Sequence, residues 1–166
     1  GSGTIGLIDY VNKQFDRSIS CRDAAWLAEQ WGGPFAIKRL LRADDARQAA
    51  SIGATAVMLS NHGGRQLDSA ASPVSCVASV RDAVGDALEI IVDGGIRRGT
   101  HVLNALALGA DACSIGRSYL YGLAAGGQRG VERALELLRE ELLRDMALLG
   151  CQRLDQLSPD LLRAVA

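Results

Sequence analysis

The 166-residue chain lacks an excess of charge of either sign: 18 lysines and arginines face 19 aspartates and glutamates, for a net charge of −1. It therefore has no basic field of the kind that captures nucleic acid or acidic lipid, and nucleic acid is not an expected partner. Cysteine is sparse and scattered. Cys21, Cys76, Cys113 and Cys151 form no C-x-x-C pair and have no histidine at metal-ligand spacing, so no metal site is expected and reduced thiols in a cytoplasmic setting are the default. No apolar run approaches the ~18 residues of a membrane-spanning helix, and no charged start precedes a short apolar stretch, so neither a spanning segment nor a signal peptide is legible. Length and a hydrophobic content of 48% allow one compact unit and are too small for two ordinary domains.

What the chain does have is a regular alternation. Four short apolar runs, Phe35 to Lys38, Ala56 to Ser60, Glu89 to Asp93 and Ala112 to Gly116, read as strands buried on both faces. Helical patterns lie between them: Ala43 to Ile52, Pro73 to Val84, and Thr100 to Leu108 with Thr100 as N-cap and Gly109 closing it. Another helix, Ser20 to Trp31, precedes the first strand, with Trp26 and Trp31 read as packing residues. A long amphipathic one, Gly130 to Leu149, follows the last. Its inner side would carry Leu135, Leu138, Leu142 and Leu149, its solvated side Glu136, Arg139, Glu140, Arg144 and Asp145; a short turn begins at Ser158-Pro159. Strand and helix alternating in this way predict parallel βα units in an α/β layer or barrel. Polar residues and glycines collect at the strands' C-terminal ends, the edge at which such folds bind ligands.

The densest chemistry is Ser60-Asn61-His62-Gly63-Gly64-Arg65-Gln66-Leu67-Asp68. An imidazole, a residue type able to take a proton near neutral pH, stands three positions from a guanidinium that can hold a carboxylate. The glycine pair between them lets the backbone approach a ligand. His101 is expected to be exposed in the first turn of its helix, and Cys113 an inert filler in a buried strand.

Taken in order, Ile37-Lys38, the nine-residue His62 motif, Asp93-Gly94-Gly95-Ile96-Arg97-Arg98-Gly99 and Gly116-Arg117 strongly resemble the FMN-dependent α-hydroxy-acid dehydrogenase and oxidase family, which includes glycolate oxidase, flavin-linked L-lactate dehydrogenases and mandelate dehydrogenase. The resemblance runs from about Phe15 to Leu157. It implies the C-terminal half of a (β/α)8 barrel, strands five to eight, plus a long C-terminal helix. Residues 15–166 would form that half barrel, with 1–14 a flexible loop remnant or tag.

The same resemblance implies the site. His62 would take a proton from the substrate while two electrons pass to flavin N5, and Arg65 would clamp the substrate carboxylate, the blander reading being a surface arginine capping a loop. Lys38 would sit near flavin N1 and O2, or snorkel to the rim, and Ser60 would donate to the isoalloxazine edge or simply end its strand. Gly94, Gly95, Gly116, Arg97 and Arg117 would hold the FMN phosphate, with Asp93 reaching the ribityl hydroxyls. Where the family usually carries glycine after the strand-five lysine, this chain has Arg39.

The leading expectation is FMN-dependent oxidation of an L-2-hydroxy acid to the 2-keto acid. The alternative is a non-catalytic half-barrel module that binds FMN or another phosphate ligand, or only self-associates. Either way an N-terminal half barrel or a second copy of the chain is expected as partner in an oligomer, because a four-stranded open sheet leaves two edges and one face uncovered. The expected location is the cytoplasm, with attachment to the inner face of the membrane open for a full-length form.

Overall fold

The computed structural model describes residues 6, 9, 10, 13–16 and 18–163, so the reading of 1–14 as a loop remnant falls mostly outside the described residues. Four strands, β1 (Ala36–Lys38), β2 (Ala56–Ser60), β3 (Glu89–Asp93) and β4 (Ala112–Ser114), form one parallel sheet in sequence order. Helix α1 (Cys21–Trp31) precedes β1. Helices α2 (Ala43–Ser51), α3 (Val77–Val84) and α4 (Gly99–Ala107) connect successive strands, and α5 (Arg117–Leu148) follows β4. This is the expected partial (β/α) barrel with its long C-terminal helix.

The ladder register decides which face each side chain takes. Lys38 lies opposite Met58, Met58 opposite Ile91, and Ser60 opposite Asp93, which lies opposite Ser114. Because side chains alternate along a strand, these residues share one face, while Ile37, Val57, Leu59, Ile90, Val92 and Cys113 share the other. The second face carries the core: Val57, Leu59, Ile90 and Val92 are fully buried against Ala46 and Ala49 of α2, Val77 and Val80 of α3 and Ala105 of α4. Each such side chain contributes about 1.5–3 kcal/mol by leaving water.

The first face has no covering layer among the described residues, and there Met58 and Ile91 are only half-buried. Burial of every strand on both faces is thus corrected. β1 and β4 are edge strands with exposed residues and β3 is fully buried only on its helix-facing side, whereas β2 keeps Ala56 and Ser60 buried on the first face as well.

Helix α1 begins at Ser20, whose amide and hydroxyl both donate to Asp23 Oδ2 at 2.7 Å, and ends at Gly32 with φ 63°. It buries no residue, and Trp26 and Trp31 are 57% and 68% exposed, so they do not pack as expected. The Trp31 indole N–H instead donates to Pro34 O at 2.8 Å. Helix α4 is capped two residues earlier than predicted, with Arg98 rather than Thr100 as N-cap. The Thr100 hydroxyl donates instead to Asp145, while Gly109 closes the helix at φ 105° as expected.

The C-terminal helix is longer than predicted and broken. Gly126 and Gly127 leave helical geometry, and the chain doubles back so closely that the Gly122 and Gly130 backbones touch, with no room for a Cβ at either. Of the leucines expected inside, Leu138 and Leu142 are half-buried, whereas Leu135 and Leu149 are exposed and Met146 is the buried residue. Asp145, expected in solvent, faces α4 beside Glu141. That neighbour accepts from Arg98 Nε at 2.7 and 2.9 Å and from the Gly99 amide at 2.8 Å. Polar and apolar positions alternate along this seam because α4 presents its unpaired N-terminal amides there, and a carboxylate satisfies them. No helix among the described residues is long and apolar enough to cross a membrane.

Candidate functional site

The strand ends of the uncovered face converge on one carboxylate. Lys38 Nζ lies 2.9 Å from Asp93 Oδ2, and the buried Ser60 hydroxyl donates to the same oxygen at 2.7 Å. Ser60 Oγ in turn accepts the His62 amide at 3.2 Å, which fixes the start of the loop after β2. Burial alone would raise the Asp93 pKa and is the largest influence on it. Hydrogen bonds from Ser60, Lys38 and Ser114, with the Lys38 charge, together outweigh burial and hold the carboxyl below its ordinary 3.8. A folded value below the unfolded one means that this cluster stabilises the fold above the ordinary carboxylate range and loses its contribution as pH falls through the folded value. Asp93→Asn is therefore expected to flatten the loss of stability below about pH 4, a window set by the ordinary value, in urea melts recorded across that range. An unchanged acid slope would remove the assignment.

The loop after β2 is bent by three successive residues in the left-handed region: His62 at φ 55°, Gly63 at 66° and Gly64 at 76°. Glycine adopts this conformation freely, whereas histidine there stores about 1–2 kcal/mol. Asn61 Oδ1 accepts the Gly64 amide at 3.2 Å and closes the turn. The His62 Nε2 is buried and has no partner among the described residues, a state that costs about 1–3 kcal/mol unless a further group supplies one. Arg39 is likewise left-handed, at φ 80°, a conformation that glycine adopts without the strain arginine bears there.

The loop after β3 turns on Gly94 and Gly95, at φ 117° and 80°. Arg117, opening α5, donates from Nη2 to Gly63 O at 3.2 Å and so joins the histidine loop to this side of the edge. Together these segments enclose a cavity of about 300 Å³ lined by Lys38, His62, Arg65, Asp93, Gly94, Gly95, Arg97, Gly116 and Arg117. Every candidate cofactor-, substrate- or proton-binding residue read from the sequence thus borders one space except Ser60, which lies buried beside it under Asp93. Four cations face one carboxylate there, so the cavity suits an anion, and the glycine turns admit one close to backbone amides.

Sequence reasoning missed Ser114 and Ser118, which also border the cavity. Ser114 was within reach of the strand register, since it lies opposite Asp93. His101 is half-buried rather than exposed, with Nδ1 3.0 Å from Gly95 O. Cys113 is partly buried, and burial pushes its thiol up to about 11, in keeping with an inert side chain.

Comparison with known proteins agrees with this geometry. The family model described as FMN-dependent dehydrogenase matches residues 2–164. The chain is 45% identical over 158 residues to an L-lactate dehydrogenase of Pseudomonas putida, covering 93% of this chain and 42% of that protein. To an L-lactate dehydrogenase of Xanthomonas campestris pv. campestris it is 46% identical, covering 99% and 43%. Among solved structures, the monotopic membrane protein (S)-mandelate dehydrogenase superposes with a TM-score of 0.88 at 42% identity over 94% of this chain and 41% of its own. A flavocytochrome b2 variant with pyruvate bound gives 0.85 at 41% identity, over 92% and 42%. The chain thus spans about two fifths of the length of the relatives it matches. With the family model matching nearly its full length, and with relatives aligning in sequence and in fold over more than nine tenths of it, the chain belongs to the FMN-dependent dehydrogenase family.

Proposed function

We propose that this chain supplies the proton-accepting histidine, the substrate-binding arginine and the phosphate-binding end of an enzyme that oxidises an L-2-hydroxy acid to the 2-keto acid with FMN. The observation that carries this reading is the unpartnered, buried Nε2 of His62, on a residue that borders the same cavity as Lys38, Arg65, Arg97 and Arg117. A buried polar atom without a partner, on a strained histidine beside four cations, is costly as structure and useful as a receptor for an acidic proton.

FMN fits the residues present. The amides around Gly94 and Gly95 with Arg97, Gly116 and Arg117 would hold its phosphate, Asp93 its ribityl hydroxyls, and Lys38 the edge of the ring system. Ser60 would act through Asp93, to which its hydroxyl donates a hydrogen bond. When bound, FMN would supply the two-electron acceptor that the oxidation of an alcohol to a ketone requires. Arg65 would hold the substrate carboxylate through its planar pair of donors, and His62 would take one substrate proton at Nε2. Pyruvate, the ligand of the flavocytochrome b2 variant, is a 2-keto acid and supports this product class. The uncovered sheet face would pack against an N-terminal half barrel, whose carboxylate or bound substrate would give Nε2 its missing partner.

FMN titrated into the chain, together with the N-terminal half barrel of a lactate dehydrogenase relative, should give a visible flavin spectrum that bleaches anaerobically with L-lactate, glycolate or L-mandelate. Arg117→Ala is expected to weaken FMN about 10-fold, the loss of one charge-assisted hydrogen bond. A bound flavin that no 2-hydroxy acid bleaches would favour the non-catalytic half-barrel module instead.

A further inference from the structure

The loop after β3 is undercut. Between it and α4 lies a second cavity of about 180 Å³, bordered by Val74, Gly94, Gly95, Ile96, His101 and Asn104. Two glycines in left-handed geometry place no side chains into that space, so the turn must be held by other groups. Among the described residues, two side chains hydrogen-bond to the backbone of 94–97. Ser118 Oγ donates to Ile96 O at 3.0 Å from the α5 side. The other is His101, whose Nδ1 lies 3.0 Å from Gly95 O and 3.2 Å from the Arg97 amide nitrogen.

One ring nitrogen serves only one of these partners at a time. With a proton it donates to the Gly95 carbonyl; without one it accepts the Arg97 amide. Both bonds have the same mechanical effect, since either ties the glycine turn to the first turn of α4. Arg98 and Gly99, immediately before that turn, are themselves fastened to α5 by Glu141. His101 therefore connects a loop with little packing of its own to the best-anchored helix end nearby.

We propose that His101 is a positioning residue for anion binding, its Nδ1 holding the Gly95–Arg97 turn in the shape that presents backbone amides and the Arg97 side chain to a phosphate. The proposal rests on the reading of this loop as the FMN phosphate site. Its mechanical part, the grip on the turn, is separately measurable without FMN.

The test compares His101→Leu, which fills the space without a polar atom, with His101→Asn, whose side-chain oxygen occupies the place of Nδ1, and His101→Gln, whose polar group lies one bond farther out. In the FMN-free protein, amide exchange of residues 95–97 is expected to speed up several-fold in His101→Leu and stay near wild type in His101→Asn, with Val92 in β3 unchanged as the folding control. FMN should bind about 3- to 10-fold more weakly to His101→Leu and within about 2-fold of wild type to His101→Asn, the range set by one hydrogen bond. Unchanged exchange in His101→Leu, or its FMN affinity unchanged while Arg117→Ala weakens binding, overturns the proposal. If faster exchange is accompanied by no effect of either His101→Leu or Arg117→Ala on FMN, the grip stands and the phosphate reading fails. Should His101→Leu not fold, the Asn and Gln pair decides: the grip requires His101→Gln to behave worse than His101→Asn, and equal behaviour overturns it.

Discussion

His62→Ala is expected to lower the rate of 2-hydroxy-acid oxidation by about 10²–10⁴-fold, the span associated with a positioned general base, while changing FMN affinity little. Among the described residues the Nε2 of His62 has no partner, so truncation removes no internal bond at that atom. What it removes is the acceptor for a substrate proton. Strain helps to separate this role from a structural one. At φ 55° the histidine backbone is held where glycine is at ease, so His62→Gly should be at least as stable as wild type and equally inactive. Rapid mixing with L-lactate or L-mandelate, following the flavin absorbance, measures the rate, and urea melts measure the stability. Turnover retained within about 10-fold of wild type would sink the base assignment, because one unpaired imidazole would then be carrying little of the chemistry.

The sheet was legible because β2 and β3 are short apolar runs with polar residues marking their C-terminal ends. The grouping of the candidate residues at one edge was legible for a related reason: each motif follows directly on a strand, and parallel strands must bring such ends together. Less visible was which residues act on one another. That Lys38 and Ser60 both meet Asp93 follows from ladder register, which no local pattern states. The arm of α5 before Gly126 was missed because the amphipathic pattern begins only at Gly130, beyond the Gly126-Gly127 break, and only the touching Gly122 and Gly130 backbones show why small residues are needed on both sides. Trp26 and Trp31 misled for the opposite reason, since large apolar side chains suggest burial and both stay exposed on α1.

Gly99→Ala is expected to cost about 3 kcal/mol of stability, the upper part of the range for overpacking. A Cβ at this position would fall against the Leu142 amide nitrogen, the Glu141 Cβ at 2.5 Å and the Leu138 carbonyl oxygen at 2.6 Å. Two of these three are backbone atoms of α5, which cannot swing aside as the tip of a long side chain can. Helix α4 would have to move off α5, stretching the bond between the Gly99 amide and Glu141 and the pair between Arg98 and Glu141. The gain in helix propensity from alanine, at most about 1 kcal/mol and smaller in a first turn, does not offset this. Gly126→Ala is the control, since that glycine has open space around it and no left-handed φ, and it should melt with wild type. Because Gly99 stands two residues from Arg97 and immediately before the turn that carries His101, displacement of α4 should reach the cavity as well. FMN affinity is therefore expected to fall with stability in Gly99→Ala, and to stay unchanged in Gly126→Ala. Equal melting of the two variants would mean that α4 and α5 are not held at the separation described.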